Sequence, residues 1–151
     1  MRLLEQAVTL SREVGDRRLE GTNLRRMATN LSFMDRHAEA IVPARQSLEL
    51  YREIGDRGSE CHSLNIIALC LDSIGKHDEA RDYFEQAMAL GEEIELALGI
   101  YYPAFNMLES HFPRTGELEQ ALSFADEQAQ RPQFISNAFM RLNLLEMKGN
   151  I

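Results

Sequence analysis

Lysine and cysteine each occur only twice in the 151 residues, and no apolar run approaches the roughly 20 residues that span a bilayer. The missing run argues against a membrane-spanning helix. Cys61 and Cys70 stand nine residues apart. On one helix they point to roughly opposite sides, at about 100° per residue, so a disulfide between them is not expected and both read as small buried apolar side chains. The opening stretch Met1-Arg2-Leu3-Leu4-Glu5-Gln6 has an amphipathic helical pattern, without the apolar stretch and small-residue cleavage site of a signal peptide. A cytoplasmic location is the expectation.

Catalytic signatures are missing too. There is no glycine-rich phosphate loop, no nucleophile elbow and no zinc-protease helix motif. Serine and threonine are scattered without a histidine partner. His37 and His77 open equivalent helices ahead of acidic residues, and no cysteine or further histidine has ligand spacing to them, so they read as solvated turn residues. His62 and His111 are equally unpaired in sequence. The adjacent carboxylates Glu92-Glu93 and Asp78-Glu79 point about 100° apart on a helix and read as solvated faces. No enzyme activity, no metal and no cofactor are expected.

What is present is apolar residue in quantity, 44%, enough for a single domain with a sizeable core. The net charge of −8 is unevenly spread. Residues 1–60 carry ten arginines and ten acidic residues, whereas residues 61–151 carry six basic and fourteen acidic ones. An acidic half argues against wrapping DNA or RNA, whose phosphates need a basic surface. Fourteen of the sixteen basic residues are arginine, a bias that a GC-rich bacterial genome would produce.

The most informative property is a repeat of forty residues. Gly15-Asp16-Arg17 returns as Gly55-Asp56-Arg57. Gln6, Leu10, Glu13 and Val14 return as Gln46, Leu50, Glu53 and Ile54, then as Gln86, Leu90, Glu93 and Ile94. Leu24, Met27, Ala28 and Leu31 return as Leu64, Ile67, Ala68 and Leu71, and His37-Ala38-Glu39-Ala40 as His77-Asp78-Glu79-Ala80. Within each unit apolar residues recur every three or four positions, the mark of an amphipathic helix. Breakers at Gly15, Gly55, Gly75, Pro113, Gly116 and Pro132 divide the chain into eight predicted helices, at about 1–14, 18–34, 37–54, 58–74, 77–94, 98–112, 117–129 and 133–148. Pro43, well inside the third, predicts a local distortion there. Short connections make neighbouring helices antiparallel, and no stretch alternates as a strand does.

Small Ala68 and Ala80 allow two helices to approach closely, while Leu64, Leu71 and Phe84 fill the gap between units. This arrangement, Leu64, Ile67, Ala68, Leu71 and Gly75 followed by Ala80, Phe84 and Ala87, resembles the tetratricopeptide repeat family over nearly the whole chain. The resemblance implies an all-α, right-handed superhelical stack of antiparallel helix pairs. The units are a half repeat over 1–15, repeats over about 16–55, 56–95 and 96–131, and a half repeat over 132–151, together reading as a piece of a longer array. Repeat three needs one extra residue, giving Phe105, Leu108, Phe112, Gly116 and Ala121, with Glu109 where a small residue is expected. The long period resembles the variety frequent in bacterial signalling and transcription regulators and in cell-polarity adaptors.

In such a stack the first helix of each unit lines the concave face. Counting along these helices places there Thr22, Arg25, Thr29 and Ser32, then His62, Asn65, Leu69 and Asp72, then Asn106 and Ser110, and finally Phe139 and Asn143. Family members that clamp a C-terminal carboxylate use paired lysine and asparagine. The matching positions here are Arg25, Thr29, Ile66, Pro103 and Met107, so that activity is not implied. The expectation is a non-catalytic protein- or peptide-binding scaffold in a bacterial signalling or transcription regulator. The alternatives are a small-molecule or oligosaccharide sensor and an oligomerisation segment. The final helix, apolar on most of its circumference through Phe134, Ile135, Ala138, Phe139, Leu142 and Leu145, predicts a homodimer through terminal helices.

Overall fold

The computed structural model describes residues 2–131. Phe139, Asn143, the predicted helix over 133–148 and the self-association assigned to it lie outside the described residues. The described chain is a run of helices: α1 (Arg2–Glu13), α2 (Arg17–Phe33), α3 (His37–Glu53), α4 (Arg57–Ser73), α5 (His77–Glu93), α6 (Ala97–Asn106), a π-helical turn (Met107–His111), α7 (Phe112–Thr115) and α8 (Leu118–Ala129). No strand occurs among the described residues. Each long helix packs on the next, and the first helices α2, α4 and α6 also touch in turn, as in an α-solenoid.

Helix ends follow the repeat. Left-handed residues separate the helices at Gly15, Gly55, Gly75 and Gly116 and, against their intrinsic preference, at Asp35 (φ 57°) and Glu95 (φ 54°). The recurring Gly-Asp-Arg has a division of labour. Glycine takes the left-handed turn. Asp16 and Asp56 cap α2 and α4 by accepting from the backbone N–H of Leu19 (2.9 Å) and Ser59 (3.1 Å). Arg17 and Arg57 then reach Glu20 and Glu53, and Glu60 and Glu93. With Arg12–Glu20 and Arg52–Glu60 these pairs form two equivalent clasps, each spanning three successive helices.

The core runs between the helices. Ala28, Ala44, Ala68, Ala80, Ala87, Ala104 and Ala121 are fully buried, and Leu64, Ile67, Leu71 and Phe84 fill the space around them. Each such large side chain gains roughly 1.5–3 kcal/mol on leaving water. Cys61 and Cys70 are buried and free. Cys61 donates to the Ala87 carbonyl at 3.1 Å, and burial pushes its thiol up to about 11.

Two expectations need correction. Pro113 does not end its helix: the chain stays helical to Thr115 and breaks at Gly116. By contrast, α3 runs unbroken through Pro43, where no break was expected. Repeat three places its extra residue later than the sequence spacing suggests. Ala104, Met107 and Leu108 are buried where Leu64, Ile67 and Ala68 are buried forty residues earlier, whereas Phe105 is only partly buried and Glu109 is exposed. The surplus residue is taken up in the π-turn, where Phe112 N–H bonds the Met107 carbonyl five residues back. A proline at position 113 would crowd the carbonyl four residues before it in an α-helix, and a widened turn directly upstream relieves this.

The closest approach among the glycines is at α5–α6. A Cβ on Gly91 would lie 2.8 Å from the Gly99 carbonyl carbon, and one on Gly99 would lie 2.8 Å from Cys61 Sγ. A Cβ on Gly58 would meet only Asp56 Oδ1, at an ordinary 3.9 Å. Gly91→Ala should therefore cost about 1–3 kcal/mol through overpacking, although alanine is the better helix former. Gly58→Ala should be neutral or stabilise by up to about 1 kcal/mol. Urea unfolding of the two variants checks the difference in sign.

Candidate interaction face

The described residues that counting assigned to the open face stand on α2, α4, the end of α6 and the π-turn. Thr22, Arg25, Thr29, Ser32, His62, Asn65, Leu69, Asn106 and Ser110 are all half-buried. The structure brings some of them together. Asn106 Nδ2 donates to Asn65 Oδ1 at 3.0 Å, joining repeats two and three across the face. Burial first, and the nearby Arg25 charge second, push the His62 imidazole below its ordinary range. The Arg25 Nε is shielded from solvent and has no hydrogen-bond partner. Thr22 and Thr29 turn their hydroxyls onto carbonyls of their own helix, those of Arg18 and Arg25. Tyr51 donates to the Thr22 hydroxyl at 3.3 Å. Exposed Leu98 and Tyr102 stand on α6 forty residues after Gly58 and His62. Sequence reasoning missed Tyr102 because it shifted repeat three by one residue before this point.

Asp72 is different. Counting placed it on the open face, but it is buried, with three donors converging on it. His77 and His111 each direct Nδ1 at Asp72 Oδ1, both at 2.8 Å, and Arg114 donates to Oδ2 at 2.6 Å. These donors come from α5, the π-turn and α7. Burial is the largest single influence and disfavours the charged carboxylate. The bonds from His111, His77 and Arg114 together outweigh it, holding the Asp72 carboxyl well below the usual range. His77 and His111 are thus not the unpaired residues their sequence spacing suggests. His77 clips α5 back onto the end of α4, as His37 does at 3.4 Å from Ser32 one repeat earlier. His111 is fully buried between Phe84 and Phe112, whose rings stand T-shaped to it. No spacing rule finds a partner 39 residues away; His111 stands at the place that Cys70 holds in repeat two, and nothing in the sequence marks that place as facing Asp72.

With this geometry in place, comparison with known families is decisive for the central part of the chain. Residues 44–93 match the tetratricopeptide repeat family. That segment is a tetratricopeptide repeat unit. Such repeats mediate protein–protein interaction and act as non-catalytic scaffolds. No curated protein matches the chain. Among the described residues no helix is long and apolar enough to cross a membrane.

The two equivalent sites should differ sharply in energy. Removing Asp72 leaves two imidazole donors and a guanidinium without their acceptor. Asp72→Ala is expected to cost about 3 kcal/mol, the low end for a broken buried pair because Arg114 keeps access to water. Ser32→Ala, its counterpart in repeat one, should cost about 1 kcal/mol or less. Chemical denaturation of both variants checks the ranking, and equal losses would contradict it.

Proposed function

We propose that the face of α2, α4 and α6 binds a protein or peptide partner, with Arg25, His62, Asn65 and Asn106 as its polar contacts. The observation that carries this reading is the half-buried line of hydrogen-bonding side chains across three adjacent first helices, with Asn65 and Asn106 already paired across a repeat boundary. Amides held in place in this way lose little freedom on gripping an extended backbone, which favours association. Leu69 and Tyr102 supply apolar contact beside them. The forty-residue period and the arginine-rich composition support a setting in a bacterial signalling or transcription regulator, in the cytoplasm, where such an array serves as the interaction segment. Nucleic acid is disfavoured as a direct partner by the acidic charge.

A second reading, self-association through a terminal helix, draws support from α1. Its Leu3 and Leu10, and Val14 just beyond its end, are 81%, 61% and 70% exposed, apolar side chains of the kind that pairing covers. Sedimentation over a wide concentration range separates this reading from a monomeric scaffold.

The test of the main reading is selection of peptides from a random displayed library on the purified chain. Selected peptides should bind Arg25→Ala/Asn65→Ala about tenfold or more weakly, the loss of roughly 1.4 kcal/mol expected for centrally placed contacts. The circular dichroism of the variant should be unchanged. Peptides whose affinity is indifferent to the double change would place binding elsewhere.

A further inference from the structure

We propose that Asp72, His77 and His111 form a binding site for one divalent transition-metal ion of the zinc class, at the junction of repeats two and three. One ligand atom from each residue lies within 4.8 Å of the other two. Two imidazoles and a carboxylate suit zinc, cobalt or nickel and not the harder magnesium or calcium.

The distances are close to those a metal needs. Ligand atoms about 2.0–2.1 Å from a tetrahedral ion lie roughly 3.3 Å from one another. The two Nδ1–Oδ1 separations are 2.8 Å. An opening of about half an ångström along each contact would admit the ion in place of the two shared protons. Each neutral imidazole then carries its proton on Nε2. For His111 that nitrogen has no hydrogen-bond partner and lies among the Phe84 and Phe112 rings, which accept an N–H weakly. Arg114 does not compete for the ion, because it holds Oδ2. It leaves Oδ1 as the ligand atom and orients the carboxylate, the outer-shell role that hydrogen-bonded metal carboxylates show. Access is through His77, whose side chain is about one-third exposed.

The repeat supplies an internal comparison. The same three places in repeat one hold Ser32, His37 and Cys70, with Ser32 within hydrogen-bonding reach of Cys70. That set lacks the carboxylate and has one imidazole. Only at the next junction are the places filled by an aspartate and two histidines, and there the chain adopts a π-turn, a feature that concentrates at functional sites. The ion would tie α4, α5 and the π-turn together.

The test uses the whole chain, stripped with a chelator and dialysed against Zn²⁺ or Co²⁺. The expected result is one ion bound per chain, with the intense visible absorption of a four-coordinate cobalt site and a raised melting temperature. His77→Ala should weaken binding by at least about tenfold, with His37→Ala without effect. His77→Asn, which can still donate to Asp72, guards against a merely unfolded variant. It should keep the metal-free melting temperature and lose the metal-induced rise. Wild-type protein that binds no stoichiometric metal, or His77 variants that bind as the wild type does, would overturn the proposal.

Discussion

Everything in this stack depends on how closely its helices approach one another. Fully buried alanines at 28, 44, 68, 80, 87, 104 and 121, and the Gly91–Gly99 contact, bring the backbones together. The large side chains then meet in the space between units, where dispersion and burial act on many atoms at once. A helix pair alone cannot cover its own apolar side, so each unit is stabilised by the next. Such packing tolerates little change of register. One residue more or fewer rotates a helix by about 100° and replaces a small contact residue by its neighbour.

That constraint explains the π-turn. Between the left-handed residues Gly15 and Asp35, and again between Gly55 and Gly75, the chain advances twenty residues; between Glu95 and Gly116 it advances twenty-one. The surplus must be discarded somewhere within the helix. The Met107–His111 turn lets Ala104, Met107 and Leu108 keep the places of Leu64, Ile67 and Ala68, and lets Phe112 keep that of Leu71. His111 arrives at the place of Cys70 and so meets Asp72.

Among the described residues the succession of helices, most of their ends and the alanine contacts were legible in the sequence because each leaves a local mark. Glycine marks the turns, Asp16 and Asp56 the caps, and alanine the narrow crossings. The register of repeat three was not legible. Shifting the extra residue ahead of Phe105 aligns an aromatic with Leu64, and nothing local says that Ala104 fills that place instead. The Asp72 junction was illegible for a different reason. A carboxylate on a first helix reads as a polar position on the open face, and its burial becomes affordable only when three donors 5, 39 and 42 residues away converge on it. Counting assigned Asn65 and Asn106 to one face, and the structure joins the two by a hydrogen bond.

The most direct test of this dependence on register is to delete Glu109, the exposed residue of the π-turn. Deletion inside a helix ordinarily misplaces everything beyond it. Here it restores the twenty-residue spacing of the first two repeats. The expected result is a chain that keeps its helical circular dichroism and unfolds cooperatively with a stability within about 1 kcal/mol of wild type, a shift of a few degrees in melting temperature. The matching deletion of Leu69, in the regular α4, should abolish cooperative unfolding. A Glu109 deletion as damaging as the Leu69 deletion would contradict the claim that the π-turn serves to hold the forty-residue register.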